Sequence, residues 1–182
     1  YWEKNRPQDV GVIQNRLYSK SQKFILGIMG GYHISDPFLT ITSQTLQLTY
    51  HIDETWGVGL KGTMFNTSGS QALKTLRDGG KDANTVDPKW TAALGVDTSL
   101  LYGKLSLLGS NIIYYDMHLL SSLGSLKTEN NTSFAGEVGL GQRFFITKNM
   151  SFRTDYRLLI YRETVIEKVI TAKLKQEVGR RM

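Results

Sequence analysis

The sequence predicts an all-β protein: an antiparallel, up-and-down transmembrane β-barrel. Three observations predict it. Period-two alternation recurs from about residue 24 to residue 160, with no helical periodicity before about residue 163. One face of each alternating run carries no charge. Aromatic side chains gather at the ends of those runs.

The first run puts Phe24, Leu26, Ile28 and Tyr32 on one face. The second puts Leu46, Leu48, Tyr50 and Ile52 opposite Thr45, Gln47, Thr49 and His51. A tight turn at Asp53-Glu54 leads to the third, where Trp56, Val58, Leu60 and Met64 alternate with Gly57, Gly59, Lys61 and Thr63. Asn66–Lys89 is polar and rich in Gly, Asp, Asn and Lys, and reads as one long loop.

Alternation resumes with Trp90, Ala92, Leu94, Val96 and Leu100 against Thr91, Gly95, Asp97 and Ser99. Leu101–Asn111 reads as a less regular connection. Ile113, Tyr115, Met117 and Leu119 then oppose Tyr114, Asp116 and His118. After a Ser125–Ser133 connection, Phe134, Val138, Leu140, Phe144 and Ile146 oppose Glu137, Gly139, Gly141 and Arg143. A Thr147-Lys148-Asn149 turn leads to Met150, Phe152, Tyr156, Leu158 and Ile160, opposing Ser151, Arg153, Asp155 and Arg157. These are seven strands of bilayer-spanning length, about 9 to 13 residues each.

The apolar faces together hold 39 positions, and none is Asp, Glu, Lys or Arg. With 21% charged residues overall, random placement gives about eight. A soluble sandwich alternates too, but keeps its charged face in water. The inside-out arrangement is favoured by the aromatic belts, Phe24, Tyr50, Trp56 and Phe152 at one end and Tyr32, Trp90 and Phe134 at the other. Lipid offers no hydrogen bonds, so strands cross it only in a closed sheet. A soluble barrel for an apolar ligand needs an apolar interior, against which the inward charges speak.

The 182 residues make one domain's worth of chain, or two small ones. No cysteine is present, which excludes disulfides, Cys-based zinc sites and cysteine nucleophiles. A mean hydropathy of -0.26 looks soluble, but a barrel averages a lipid-facing half against a polar half. The net charge of +6 invites a nucleic-acid reading. The inward charges nevertheless balance, four against four. The excess sits in the N-terminal segment, loops and tail, where anionic lipid is the expected neighbour and nucleic acid is not.

Those inward charges are Lys61, Arg143, Arg153 and Arg157 against Asp97, Asp116, Glu137 and Asp155. They predict ion pairs that plug the lumen, because an unpaired buried ion costs several kcal/mol. A small gated pore is the alternative. Gly57-Val58-Gly59-Leu60-Lys61-Gly62 matches a dinucleotide fingerprint literally, but lies inside a strand with no helix following. Its glycines are read as room in a narrow lumen. Gly79-Gly80-Lys81 lacks the remainder of a phosphate loop. His118 beside Asp116 and Glu137 offers general-base chemistry, without an evident nucleophile. His33, His51 and His118 lack metal-ligand spacing. No catalytic, metal or cofactor site is therefore expected. In the Asn66–Lys89 loop, Lys74, Arg77, Lys81 and Lys89 mix with Asp78, Asp82 and Asp87, which suits lipopolysaccharide contact or recognition of a partner.

Val12-Ile13-Gln14-Asn15-Arg16-Leu17-Tyr18, Lys23-Phe24, Gly30-Gly31 and Ser35-Asp36-Pro37-Phe38 carry a family resemblance. Tyr102-Gly103-Lys104-Leu105-Ser106, Asp116-Met117-His118-Leu119-Leu120 and Val138-Gly139-Leu140-Gly141-Gln142-Arg143-Phe144-Phe145 extend it. Together they resemble the small outer-membrane β-barrel family of myxobacteria and Bdellovibrio-like bacteria. The resemblance covers nearly the whole chain and is most specific in the N-terminal stretch. It implies eight strands in a Gram-negative outer membrane, and a non-enzymatic structural or scaffold role in the cell envelope. Some relatives belong to gliding-motility machinery, and no catalytic residues carry over. A barrel enzyme acting on lipid or peptide is the alternative.

The expected layout is a periplasmic N-terminal segment over 1–22, able to dock on other envelope proteins through Lys4, Arg6, Arg16 and Lys20. The barrel occupies 23–163. A C-terminal loop or incomplete final strand occupies 164–182. Seven strands are visible, and the eighth is missing or atypical. The ending Lys175-Gln176-Glu177-Val178-Gly179-Arg180-Arg181-Met182 lacks the terminal aromatic of such strands, so a chain stopping short of its last strand is expected.

Overall fold

In a computed structural model, residues 17–34, 36–79, 83, 85–107 and 111–162 are described. Seven strands form one antiparallel sheet in strict up-and-down order: β1 (Lys23–His33), β2 (Leu39–His51), β3 (Trp56–Gly69), β4 (Pro88–Leu107), β5 (Asn111–Thr128), β6 (Thr132–Phe145) and β7 (Ser151–Tyr161). The sheet curls into a half-barrel. Its two edges approach closely enough for the Arg157 guanidinium of β7 to stand 3.2 Å from the Met29 sulfur of β1. The expected C-terminal loop or incomplete final strand over 164–182 lies outside the described residues.

Side chains alternate across the sheet as the pleat requires. Phe24, Ile28, Leu60, Leu94, Leu123, Leu140 and Leu158 are exposed on the convex face. The concave face takes the charged set, with Asp97, Asp116 and Arg143 fully enclosed. A one-residue slip between any two strands would exchange these faces, so the pattern itself pins the register. Among the described residues no helix is long and apolar enough to cross a membrane, which leaves β-strands unaddressed.

Three sequence expectations are corrected. Asn66–Lys89 is not one loop: β3 continues to Gly69, β4 begins at Pro88, and a helix, α1 (Gln71–Asp78), lies between them. Ser70 caps α1, its hydroxyl accepting from the Leu73 N–H at 3.3 Å while donating to the Pro37 carbonyl at 2.7 Å. Eight residues are too few for propensity alone to hold a helix, and burial of Leu73 supplies the anchor. Ser125–Ser133 is mostly strand, since β5 runs to Thr128 and β6 begins at Thr132.

Leu101–Asn111 is not an irregular connection either, because β4 runs through Leu107 and β5 starts at Asn111. Pairing with β5 skips Leu100 between Ser99↔His118 and Leu101↔Met117. The extra residue of such a bulge reverses which face later residues occupy. Leu100 and Leu101 are both exposed, and Tyr102 turns inward. The alternation fades in the sequence because the bulge changes its phase.

The ends at which β1 leads to β2, β3 to β4 and β5 to β6 share one end of the sheet, called here the loop end. The ends at which β2 leads to β3, β4 to β5 and β6 to β7 share the other, the turn end.

Candidate functional site

The concave face has three levels. At the loop end it is apolar: Leu39, Ile41, Phe65, Leu126 and Ala135 cluster with Leu73 of α1, flanked by Phe38, Leu159 and Tyr161. The helix thus lies across this end of the sheet with one leucine inserted.

The middle level holds seven of the eight residues expected to form ion pairs, in one connected network. Lys61 reaches Glu137 at 2.5 Å across the interior. Arg157 bridges Glu137 at 3.6 Å and Asp155 at 2.6 Å. Arg153 joins Asp155 at 2.9 Å to Asp97 at 3.0 Å, and Arg143 stands 3.5 Å from Asp97. Bonds between charged partners are stronger than neutral ones, and each shared carboxylate answers two cations. The interior cavity lined by Lys61, Glu137, Arg157, Thr49, Gln47 and Ser122 measures about 20 Å3, the room of roughly one water.

Asp116, the eighth, belongs to the turn-end level and takes a partner the strand pattern does not point to. Lys20, from the segment preceding β1, inserts its ammonium beside Asp116, and also donates to the Ser99 hydroxyl at 3.1 Å. The Ser99 hydroxyl donates to the other Asp116 oxygen. Lys20 and Asp116 are both enclosed. Burial lowers the Lys20 pKa, and the adjacent Asp116 carboxylate acts in the opposite direction. Among the described residues, the enclosed charges of the concave face are therefore five cations and four carboxylates, rather than four of each.

The same segment is fixed at three further points. The Glu54 carboxylate accepts from the Ser19 hydroxyl at 2.5 Å and from the backbone N–H groups of Lys20 at 3.1 Å and Ser21 at 3.2 Å. The Tyr18 ring stacks on Phe145 at 5.2 Å and meets the edge of Tyr114 at 5.3 Å. Gln22 joins the segment to β1 with φ 58, a left-handed conformation costing an L residue roughly 1–2 kcal/mol. Residues 17–22 therefore lie as a strap across the turn end. The remainder of the expected N-terminal segment, with Lys4, Arg6 and Arg16, lies outside the described residues.

His118 bonds Asp155 at 3.0 Å, while Asp116 and Glu137, the carboxylates expected near it, are engaged by Lys20 and Lys61. Its Nδ1 has no partner among the described residues, and neither imidazole nitrogen of the enclosed His51 has one. Gly57 and Gly59 face Thr49 and His51 so closely that an added Cβ at Gly59 would lie 2.6 Å from the Leu48 carbonyl oxygen. The fingerprint-like glycines thus serve contact between strands. Among the described residues, no three His, Asp or Glu converge on a metal-binding geometry.

The aromatic residues of the two expected belts fall at opposite ends. Phe24 and Tyr50 are cross-strand partners with rings 4.8 Å apart at the turn end, where Trp56 opens β3 and Phe152 is the second residue of β7. Tyr32, Trp90 and Phe134 stand near the loop end. Comparison with protein-family models, curated proteins and solved structures finds no match for the chain.

Proposed function

We propose that this chain is a non-enzymatic outer-membrane β-barrel, a structural or scaffold component of a Gram-negative cell envelope. Its strands would cross the lipid, its interior would stay closed, and its loops would do the recognising. One observation carries this reading: large apolar side chains cover the convex face while the ions are enclosed on the concave face. Contiguous apolar patches of more than a few hundred Å2 are rare on a water-facing monomer surface, and here every strand carries exposed large apolar side chains. The resemblance to small outer-membrane barrels, read from the sequence, supplies the location. Lipid and lipopolysaccharide would be the immediate neighbours, with the loop-end connections facing outward and the turn end facing the periplasm.

Detergent dependence tests this reading. The expected chain needs detergent or lipid to stay monodisperse, and its gel mobility changes on heating. A chain that is monodisperse in plain buffer, with no heat-modifiable mobility, refutes it.

A second reading, a barrel enzyme, is favoured by the His118–Asp155 pair, since a carboxylate orients an imidazole for proton transfer. Substituting His118 by Gln separates the two. Loss of an acyl- or peptide-hydrolysing activity supports the enzyme, and an unchanged envelope phenotype with a stable barrel supports the scaffold.

A further inference from the structure

Residues Tyr18–Ser21 are held at the turn end as a bound peptide is held. We propose that this mouth is a binding site for a lysine-bearing peptide segment, and that the chain's own Tyr18-Ser19-Lys20-Ser21 occupies it as a ligand in cis. The proposal does not depend on whether the convex face meets lipid.

Each part of the segment meets a different kind of recognition. Asp116 and Ser99, on β5 and β4, take the ammonium in an enclosed pocket, where only a long, unbranched cationic side chain reaches them. Glu54, in the turn between β2 and β3, accepts from the Ser19 hydroxyl and from the two successive backbone N–H groups of Lys20 and Ser21, fixing the direction of the chain. Phe145 and Tyr114 take an aromatic ring two residues before the lysine. An anchoring side chain in a pocket, a clamp on the main chain and a flanking apolar contact are the elements of linear-peptide recognition. None of these contacts comes from strand pairing, so the sheet does not need the segment to form its ladder.

The junction supports the same assignment. Gln22 is the one non-glycine residue with positive φ among the described residues, and it sits where the segment leaves the sheet. A strained conformation persists where its surroundings over-determine it. Here the contacts of Lys20 and Tyr18 hold the segment down on one side, and the Gln22 N–H bond to the His51 carbonyl, at 2.8 Å, holds the other. A competing segment in trans would release the tether without disturbing the sheet. The chemistry selects for lysine over arginine, because a compact ammonium fits beside one hydroxyl and one carboxylate, whereas a guanidinium presents a planar fork.

Two measurements on the full chain test the site. In the unmodified protein, acetylation by an amine-reactive ester, followed by mass spectrometry, is expected at Lys20 at least about tenfold more slowly than at the exposed Lys23 and Lys104. Equal rates overturn the proposal, whatever the behaviour of any variant. In the Lys20→Ala variant, a fluorescent N-acetyl-Tyr-Ser-Lys-Ser-amide peptide is expected to bind saturably, and the same peptide with norleucine for lysine at least about tenfold more weakly. Failure of the lysine peptide to bind, or equal binding of the two peptides, overturns it.

Discussion

His118 and Asp155 bond to each other across an intervening strand. Their imidazole Nε2 and carboxylate Oδ1 lie 3.0 Å apart although one is on β5 and the other on β7. Gly141 of β6 is the cross-strand partner of both, and its missing side chain leaves the gap they close. An added Cβ there would sit 2.0 Å from the Asp155 oxygen and 2.6 Å from the His118 nitrogen.

Gly141→Ala is therefore expected to break this bond and displace Asp155 from its arginines. The expected cost is about 2–3 kcal/mol, combining overpacking with a lost hydrogen bond. Gly62→Ala, where an added Cβ meets nothing within 4 Å, is expected to change stability by less than about 0.5 kcal/mol. Denaturant unfolding of both variants checks the contrast, and equal effects would contradict the role given to Gly141.

Lys61 and Glu137 are expected to be coupled. Removing one charge leaves the other enclosed, at a cost of about 3–5 kcal/mol, whereas Lys61→Met with Glu137→Leu costs much less than the sum. A double-mutant cycle on unfolding free energies measures this. Additive losses would mean that Arg157, 3.6 Å from Glu137, already satisfies the carboxylate.

Leu73 is the side chain by which α1 holds the loop end. Leu73→Ala is expected to cost about 2–4 kcal/mol of local stability, and to speed amide exchange in α1 before that in the central strands. Exchange that rises uniformly across the sheet would show the helix to be part of the main cooperative unit.

Reconstituted in a planar bilayer, the chain is expected to pass no steady large current. Among the described residues, the ion-paired level holds a cavity of about 20 Å3, and the apolar level lies beyond it. Sustained conductance would require the arginine network to open, favouring the gated-pore alternative.

The seven strands, their order and their faces were legible because a pleat imposes a period of two, and charge cannot be left on both sides of it. Strand ends were less legible. The extra residue at Leu100 reverses the phase of β4, so a correct strand reads as irregular. Gln71–Asp78 reads as loop because its helix buries only Leu73, which leaves one apolar contact amid polar neighbours. The network could be anticipated as a set of inward charges, but not as pairs, since pairing depends on curvature across the interior. Lys20 reads in the sequence as a docking cation of the N-terminal segment, whereas it is enclosed beside Asp116. It lies outside the alternating runs, and nothing in its neighbours marks it as enclosed.

The turn-end rim is cut obliquely. Pairing of β3 with β4 ends at Thr98, while β4 and β5 continue together to Leu107 and Asn111. One side of the mouth consequently rises as a wall and the other stays low, at Glu54. The strap runs from the lee of that wall, where Tyr18 meets Tyr114, down to the low side. Shelter for the Asp116 carboxylate is thus tied to unequal strand length, since the strap that meets it leans on Tyr114 of the longer hairpin. Trimming the β4–β5 hairpin, with Lys20 and Asp116 left in place, is therefore expected to let water reach that carboxylate.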